Sequence, residues 1–362
     1  MICLVLPSLS SGGAERVFIN LANNLSFSNK VTLILFSSNG PLLNKLNSSV
    51  DVVDLQTLSL RKSLIKILQT LNVLKPKVIL STLGYVNLAL ITLRPFIRFK
   101  HKLIIREANL PSLSLQNARY KNFFHLGYRY IYKFADLIIC SSELMKEEFI
   151  NSYKIDRSII RVLPNPVDID LINSSIKNSI FNHSCMVLNR KIFVAAGRLT
   201  FQKGFDRLLL IFSIFLQKDQ NAHLFICGIG EEDSQLKKIA NNLKIDSNVT
   251  FLGLLEHPWS LFSMSDAFLL PSRWEGMPNV ALESLACGTR VISTSSSGGI
   301  NEVCSENNID SVVVVETETD FVREMHKTKI KSHRNSHKNF LPSKYNLVNS
   351  VILLESWINE SD

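Results

Sequence analysis

The sequence predicts an α/β protein built from two parallel-sheet domains. Three observations lead there. Short apolar runs alternate along the chain with stretches of helical periodicity, the pattern of parallel strands joined by crossover helices. Glycine-bearing loops follow several of those runs, at what would be the carboxyl edge of a sheet. A proline-rich break, Val162-Leu163-Pro164-Asn165-Pro166-Val167-Asp168, divides 362 residues into two lengths of ordinary domain size. The predicted division is 1–165, 166–343 and a last segment 344–362, with both domains Rossmann-like.

In the first half, Ile2–Leu6 reads as a strand. Residues 7–13 form a loop carrying Gly12 and Gly13, and residues 14–25 form a helix with Val17, Leu21 and Leu25 on one face. Paired glycines let backbone approach a ligand closely, though they also serve a simple turn. Further strands are read at 31–36, 50–55, 78–81, 103–106 and 137–141. Arg106-Glu107-Ala108-Asn109 follows one of them and should lie at its carboxyl edge, facing a cleft between the domains.

The second half opens with Asp168-Ile169-Asp170, which spells D-x-D. Directly after Pro166, at a helix start, the acids read as helix-capping rather than metal-binding. A strand at 192–196 leads into Gly197-Arg198-Leu199-Thr200-Phe201-Gln202-Lys203-Gly204 and a helix at 205–216. Arg198 and Lys203 there are either solvated cations or fixed charges able to neutralise a departing diphosphate. A strand at 223–227 leads to Gly228-Ile229-Gly230-Glu231.

The most informative stretch follows the apolar run Ala267–Leu270: Pro271-Ser272-Arg273-Trp274-Glu275-Gly276-Met277-Pro278-Asn279-Val280-Ala281-Leu282-Glu283. Pro278 rules out one helix through both glutamates, and Asn279 suits an N-cap. Glu275 therefore belongs in a loop and Glu283 about one turn into a helix that Cys287-Gly288 ends. Strand, tight loop and helix N-terminus suit anions and sugar hydroxyls. The remaining elements are strands at 291–293 and 312–315, an exposed basic stretch at 327–338 and an amphipathic helix at 345–357. His257, isolated before Pro258, is given no ligand role.

Composition narrows the classes. Hydrophobic content of 46% against 20% charged supports a large core and argues against disorder. The six cysteines form no C-x2-C pair, which reads as reduced thiols in a cytosolic protein. Met1 enters a strand without the basic lead of a signal peptide, and the longest apolar stretch, 78–93, is too short and polar to span a membrane. Residues 1–165 hold 21 Lys and Arg against 9 Asp and Glu, whereas the rest holds 19 against 22. A basic first half suggests an anionic membrane surface; no nucleic-acid motif accompanies it. Two segments mix rings with cations. Residues 91–102 read as a membrane-surface segment, and residues 120–133 fit either that or a helix with its apolar side in the core.

Glu275 to Glu283 resembles the E-x7-E motif of the retaining glycosyltransferase family 4, which has the GT-B fold. The flanks His257-Pro258-Trp259, Ala286-Cys287-Gly288-Thr289 and Val291-Ile292-Ser293-Thr294 are similar to that family too. So is Ser11-Gly12-Gly13-Ala14-Glu15-Arg16-Val17, the family's loop beside the donor diphosphate, while Gly197-Arg198 with Lys203-Gly204 resembles its phosphate-binding pair. The resemblance implies transfer of a hexose or N-acetylhexosamine from a nucleotide sugar, UDP-linked, with retention. Arg198 and Lys203 would stabilise the leaving diphosphate. Glu275 would face the sugar, the backbone of Gly276, Met277, Pro278, Asn279 and Val280 would hold its hydroxyls and phosphate, and Glu283 would take the ribose diol. Gly228, Gly230 and Leu252 would line the base pocket. Many relatives carry a His where Ala108 stands, so Glu107 or Asn109 would substitute. No metal or other cofactor is implied. The acceptor would be a lipid-linked or lipopolysaccharide glycan in bacterial surface-polysaccharide synthesis, with the protein cytoplasmic and peripheral on the inner face of the membrane. Alternatives are a nucleotide-sugar epimerase of the same fold and an inactive glycan- or membrane-binding relative.

Overall fold

The computed structural model describes residues 1–360 apart from 11, 58, 116–119, 179, 180, 182, 185, 187, 188, 307–310 and 333–337. The chain forms two compact units, Met1–Pro166 with Lys344–Asp362, and Val167–Ser343.

The first unit holds seven strands: β1 Ile2–Leu6, β2 Val31–Leu35, β3 Val50–Asp54, β4 Val78–Thr82, β5 Lys102–Arg106, β6 Leu137–Cys140 and β7 Ile160–Val162. They pair in parallel in the order β3-β2-β1-β4-β5-β6-β7. Strands β1, β2 and β4 are buried along their whole length, which is why they read as continuous apolar runs. The edge strand β3 leaves Asp51, Val52 and Asp54 exposed, and two of its five residues are accordingly acidic. On one face Leu4, Leu80, Ile104 and Ile139 pack under the helix Gly13–Leu25 and the last helix, Leu347–Asn359. Leu347, Val351, Leu354 and Trp357 carry that last contact. On the other face Val5, Ile79, Ile105 and Ile138 meet Tyr128, Tyr132 and Phe149.

The second unit holds β8 Lys191–Ala196, β9 Ala222–Cys227, β10 Val249–Gly253, β11 Ala267–Leu270, β12 Arg290–Thr294 and β13 Val312–Val315. Their order is β10-β9-β8-β11-β12-β13, all parallel. The chain leaves β8 to one side and returns on the other at β11. Helices after β8 and β11 therefore diverge and open a crevice at the carboxyl ends, where ligands of such sheets bind. The loops that follow those two strands are 197–204 and 271–278.

Several readings of the sequence need adjustment. The helix after Pro278 starts at Asn279 itself, with Pro278 in the cap position and no side-chain cap. Proline lacks an N–H, so a helix can begin directly behind it at no loss of a donor. Asp168 does cap: its carboxylate accepts from the Leu171 amide at 2.9 Å, at the start of the helix Ile169–Asn178. Within the basic stretch 327–338, residues 333–337 lie outside the described residues, and Lys331 is tied down. Its amide donates to Asp266 at 2.7 Å and its ammonium to the Ser263 carbonyl at 2.7 Å. Cys3, Cys140, Cys227 and Cys287 are buried free thiols; Cys185 lies outside the described residues. Among the described residues, no helix is long and apolar enough to cross a membrane.

Candidate active site

The two loops at the crevice of the second unit are fastened to each other. After β8 the chain makes one tight turn, Phe201–Lys203, and closes at Gly204 with φ 67°. A Cβ at that position would lie 2.3 Å from the Pro271 carbonyl oxygen, so only glycine lets the turn touch the other loop. The Arg273 amide then donates to the Gln202 carbonyl at 2.8 Å, and the Gln202 amide group to the Trp274 carbonyl at 3.0 Å. The Arg273 guanidinium grips both Asp206 oxygens, at 2.8 and 2.6 Å, and lies 3.8 Å from the Phe201 ring centre. A two-pronged, partly buried pair of this kind has a defined geometry that a mobile surface pair lacks.

This clamp brings Lys203 to Glu275. The Lys203 ammonium lies 2.5 Å from Glu275 Oε1, and the Ser272 hydroxyl donates to the same oxygen at 2.7 Å. Glu275 is only 6% exposed. A buried carboxylate needs a cation or several donors, and here it has both. Behind it the Gly299 amide donates to the Gly276 carbonyl at 2.7 Å, which fixes the backbone of the Glu275–Asn279 loop from the next crossover. Met277 and Pro278 are buried, while Asn279 and Val280 are half-buried at the helix start. Arg198 is exposed on the same loop as Lys203.

The loops after β8 and β9 also touch. A Cβ on Gly228, at φ 143°, would stand 1.8 Å from the Gly197 carbonyl oxygen, and one on Gly230 would stand 2.2 Å from that of Leu199. Leu252 is half-buried in the neighbouring strand β10. Glu283 is half-buried on the helix Asn279–Ala286, where its Oε2 accepts from the Trp259 indole at 2.9 Å.

In the first unit, Gly12 and Gly13 stand at the start of the helix Gly13–Leu25, behind β1. Glu107 corrects the sequence reading. It follows β5, but its side chain turns inward and is 4% exposed. Tyr132 donates to its Oε1, as does Asn87 at 2.8 Å. Burial pushes the Glu107 carboxyl up to about 7, against the pull of those hydrogen bonds and of Arg106. Its carboxyl is engaged by Tyr132 and Asn87, and Asn109 is the exposed residue on the same loop. A raised carboxyl binds more protons folded than unfolded between pH 4.5 and about 7. Its contribution to stability is fully present below about pH 4.5 and is lost as pH rises through about 7. Glu107→Gln should flatten that slope, removing up to about 3 kcal/mol of pH dependence. Urea melts at pH 5 and pH 8 measure it, and an unchanged slope would refute the assignment.

Four supports of the site were not read from the sequence as such: Ser272, Arg273, Trp259 and the Gly298-Gly299 pair. Arg273, Trp259 and the Gly298-Gly299 pair act on residues far away along the chain, so no local pattern marks them, whereas Ser272 acts on Glu275 within the same loop. The position of Ser272 and Arg273 inside the quoted stretch, and of Trp259 in the flank His257-Pro258-Trp259, gave the hints.

Fold and loops together are those of the GT-B glycosyltransferases, two Rossmann-like α/β units in one chain. HepE of Anabaena, solved in complex with UDP, superimposes with a TM-score of 0.77 over 99% of both chains at 18% identity. Two family models match in succession, Glycosyltransferase Family 4 over residues 11–171 and Glycosyl transferases group 1 over residues 177–340. The chain belongs to this glycosyltransferase family. An uncharacterised glycosyltransferase of Methanocaldococcus jannaschii is 30% identical over 258 residues; the match covers 68% of this chain and 63% of the relative. A Campylobacter jejuni relative is 27% identical over 332 residues, covering 87% of this chain and 86% of its own. That relative is the N-acetylgalactosamine-N,N'-diacetylbacillosaminyl-diphospho-undecaprenol 4-alpha-N-acetylgalactosaminyltransferase.

Proposed function

We propose that the protein transfers a hexose or N-acetylhexosamine, with retention, from a UDP-linked donor to a lipid-linked glycan in bacterial surface-polysaccharide synthesis. The observation that carries this reading is the Lys203–Glu275 pair on two clamped loops at the crevice of the second sheet. An arriving diphosphate competes for Lys203, joined by Arg198, and the carboxylate so released turns to the sugar. Backbone groups of Gly276 to Val280 hold sugar hydroxyls and phosphate at the helix start. Glu283 accepts both hydroxyls of the ribose. Gly228, Gly230 and Leu252 flank the base. As the bond from the anomeric carbon to the diphosphate breaks and the bond to the acceptor oxygen forms, the acceptor hydroxyl's proton passes to the departing diphosphate and fixed cations hold the developing charge without reorganising. Structures of HepE with UDP and with UDP-glucose, and the Campylobacter relative's diphospho-undecaprenol name, support the choice of donor and acceptor class. Thermal-shift screening of nucleotide sugars, followed by release of free nucleoside diphosphate on adding lipid-linked acceptor, tests it. A donor that stabilises the protein but yields no diphosphate with any such acceptor counts against transfer.

The acceptor's lipid fits the surface of the first unit. In residues 91–102, Ile91 and Ile97 are buried, which leaves Phe96 outward. In the helix Lys121–Tyr130 the balance is the reverse of a core helix: Phe123, Leu126 and Tyr130 are all more than half exposed, as is Phe134 beyond it. Arg94 joins the two segments, pairing with Asp136 at 2.7 Å and donating to the Phe134 carbonyl. Exposed Arg98, Lys100, Lys121, Arg129 and Lys133 surround these rings. Rings that bury and cations that meet phosphate suit an anionic headgroup layer. The protein should float with anionic vesicles and stay behind with neutral ones, and Phe123→Ser with Leu126→Ser should release it. Equal flotation with both vesicle types would refute this part of the proposal.

A further inference from the structure

We infer that Ser272 is the positioning residue that lets Glu275 give up Lys203, a role that rests on the displacement of this lysine by a diphosphate proposed above. The juxtaposition is direct. The Ser272 hydroxyl donates to Glu275 Oε1 at 2.7 Å, and the Lys203 ammonium lies 2.5 Å from the same oxygen.

Three features separate these two donors. The first is their place in the chain. Ser272 stands three residues before Glu275 in one loop, whereas Lys203 reaches it from the other loop, 72 residues away. A diphosphate at the 197–204 turn therefore competes for the lysine and leaves the serine where it is. The second is reach. An ammonium at the end of a four-carbon stem can swing to a phosphate, but a serine hydroxyl turns about a single torsion and goes no farther than its backbone. The third is that this backbone is pinned. Ser272 is 1% exposed, and its carbonyl accepts from the Thr294 hydroxyl at 2.7 Å and from the Ser296 hydroxyl at 3.0 Å. The Ser297 hydroxyl lies 3.1 Å from Thr294 Oγ1. A Cβ on Gly298, at φ 60°, would stand 2.2 Å from the Glu275 carbonyl oxygen, so the loop after β12 closes on the backbone of Glu275 too. Donor and acceptor are held by one crossover.

Burial makes the second donor matter. A carboxylate as enclosed as Glu275 loses much when its cation leaves, unless another donor stays. With Ser272 in place, Oε1 keeps a hydrogen bond and Oε2 keeps its direction while the lysine turns to the diphosphate. Without the hydroxyl, Glu275 holds Lys203 harder, and the ligand must part the pair against a larger penalty.

UDP, GDP and ADP are titrated calorimetrically into the wild type, Ser272→Ala, Ser272→Thr, Glu275→Gln and Ser272→Ala/Glu275→Gln. For a diphosphate that binds the wild type, Ser272→Ala should weaken binding by about tenfold, the size of one hydrogen bond to a charged group. Ser272→Thr keeps a hydroxyl on the same carbon and should restore most of that loss. Glu275→Gln removes the charge that holds Lys203, so it should bind the diphosphate at least as tightly as the wild type does. In that background Ser272→Ala should change affinity by less than about twofold, because the carboxylate through which the serine acts is gone. A loss in Ser272→Ala that persists undiminished in the Glu275→Gln background would show a merely structural serine and overturn the proposal. An affinity in Ser272→Ala equal to that of the wild type would overturn it as well. Weaker binding by Glu275→Gln would instead overturn the displacement of Lys203, and failure of all three diphosphates to bind the wild type would overturn the nucleotide reading.

Discussion

Lys203→Ala is expected to lower kcat by about 10²–10³, the range for losing one preorganised contact to developing charge. The side chain is already in place before any donor arrives. Its stem runs past Gly197, with Cδ and Cε 3.5 Å from where a Cβ on that glycine would sit, and its ammonium is held by Glu275. Lys203→Met tests the charge apart from the stem, because it keeps the aliphatic packing, and it should lose as much turnover as the alanine variant. Neither change touches the Arg273–Asp206 clamp, so the loops should remain joined, while the melting temperature should fall in both variants because the buried Glu275 carboxylate loses its cation. Glu275 is left in both variants as a nearly buried carboxylate that keeps the Ser272 hydroxyl as a donor, which supplies a second, smaller loss. Single-turnover release of nucleoside diphosphate separates the chemical step from binding. Unchanged turnover in Lys203→Met would remove the leaving-group role from this residue.

What the sequence revealed of this site, and what it hid, follows from the range of each interaction. The strands β1, β4, β8 and β11 are legible because they are buried on both faces and therefore mostly apolar, with polar residues only at the ends of β4 and β8. The placing of Glu275 in a loop and Glu283 on a helix is legible because Pro278 speaks locally. The clamp is not. Arg273 and Asp206 lie 67 residues apart, and nothing at either position announces the other. The inward turn of Glu107 is hidden for the same reason: its partners Asn87 and Tyr132 come from two other elements. The aromatic helix Lys121–Tyr130 was ambiguous because its periodicity fixes that one side is apolar, not which side meets the core. Tyr128 and Gly127 take the core side, and the larger apolar surface of Phe123, Leu126 and Tyr130 faces out.

Gly228→Ala should destabilise the second unit by about 3–5 kcal/mol, the scale reached when a side chain is forced into immovable structure. Gly253→Ala should cost only about 1–2 kcal/mol, the conformational cost of a left-handed alanine. The two glycines are joined by a hydrogen bond, the Gly228 amide donating to the Gly253 carbonyl at 2.7 Å, and both have positive φ. They differ in what surrounds them. A Cβ on Gly253 meets nothing within 4 Å, whereas one on Gly228 falls 1.8 Å from the Gly197 carbonyl oxygen. That oxygen belongs to backbone and cannot swing aside. Relief requires the residue before Arg198 to move, and with it the turn that presents Lys203. Stability and donor affinity should therefore fall together in Gly228→Ala, and stability alone, modestly, in Gly253→Ala. Urea unfolding followed by tryptophan fluorescence in a Trp357→Phe background reads the second unit through Trp259 and Trp274, since Trp357 belongs to the first unit. Equal destabilisation by the two substitutions would mean that backbone conformation, and not the approach of the two loops, decides why glycine stands at position 228.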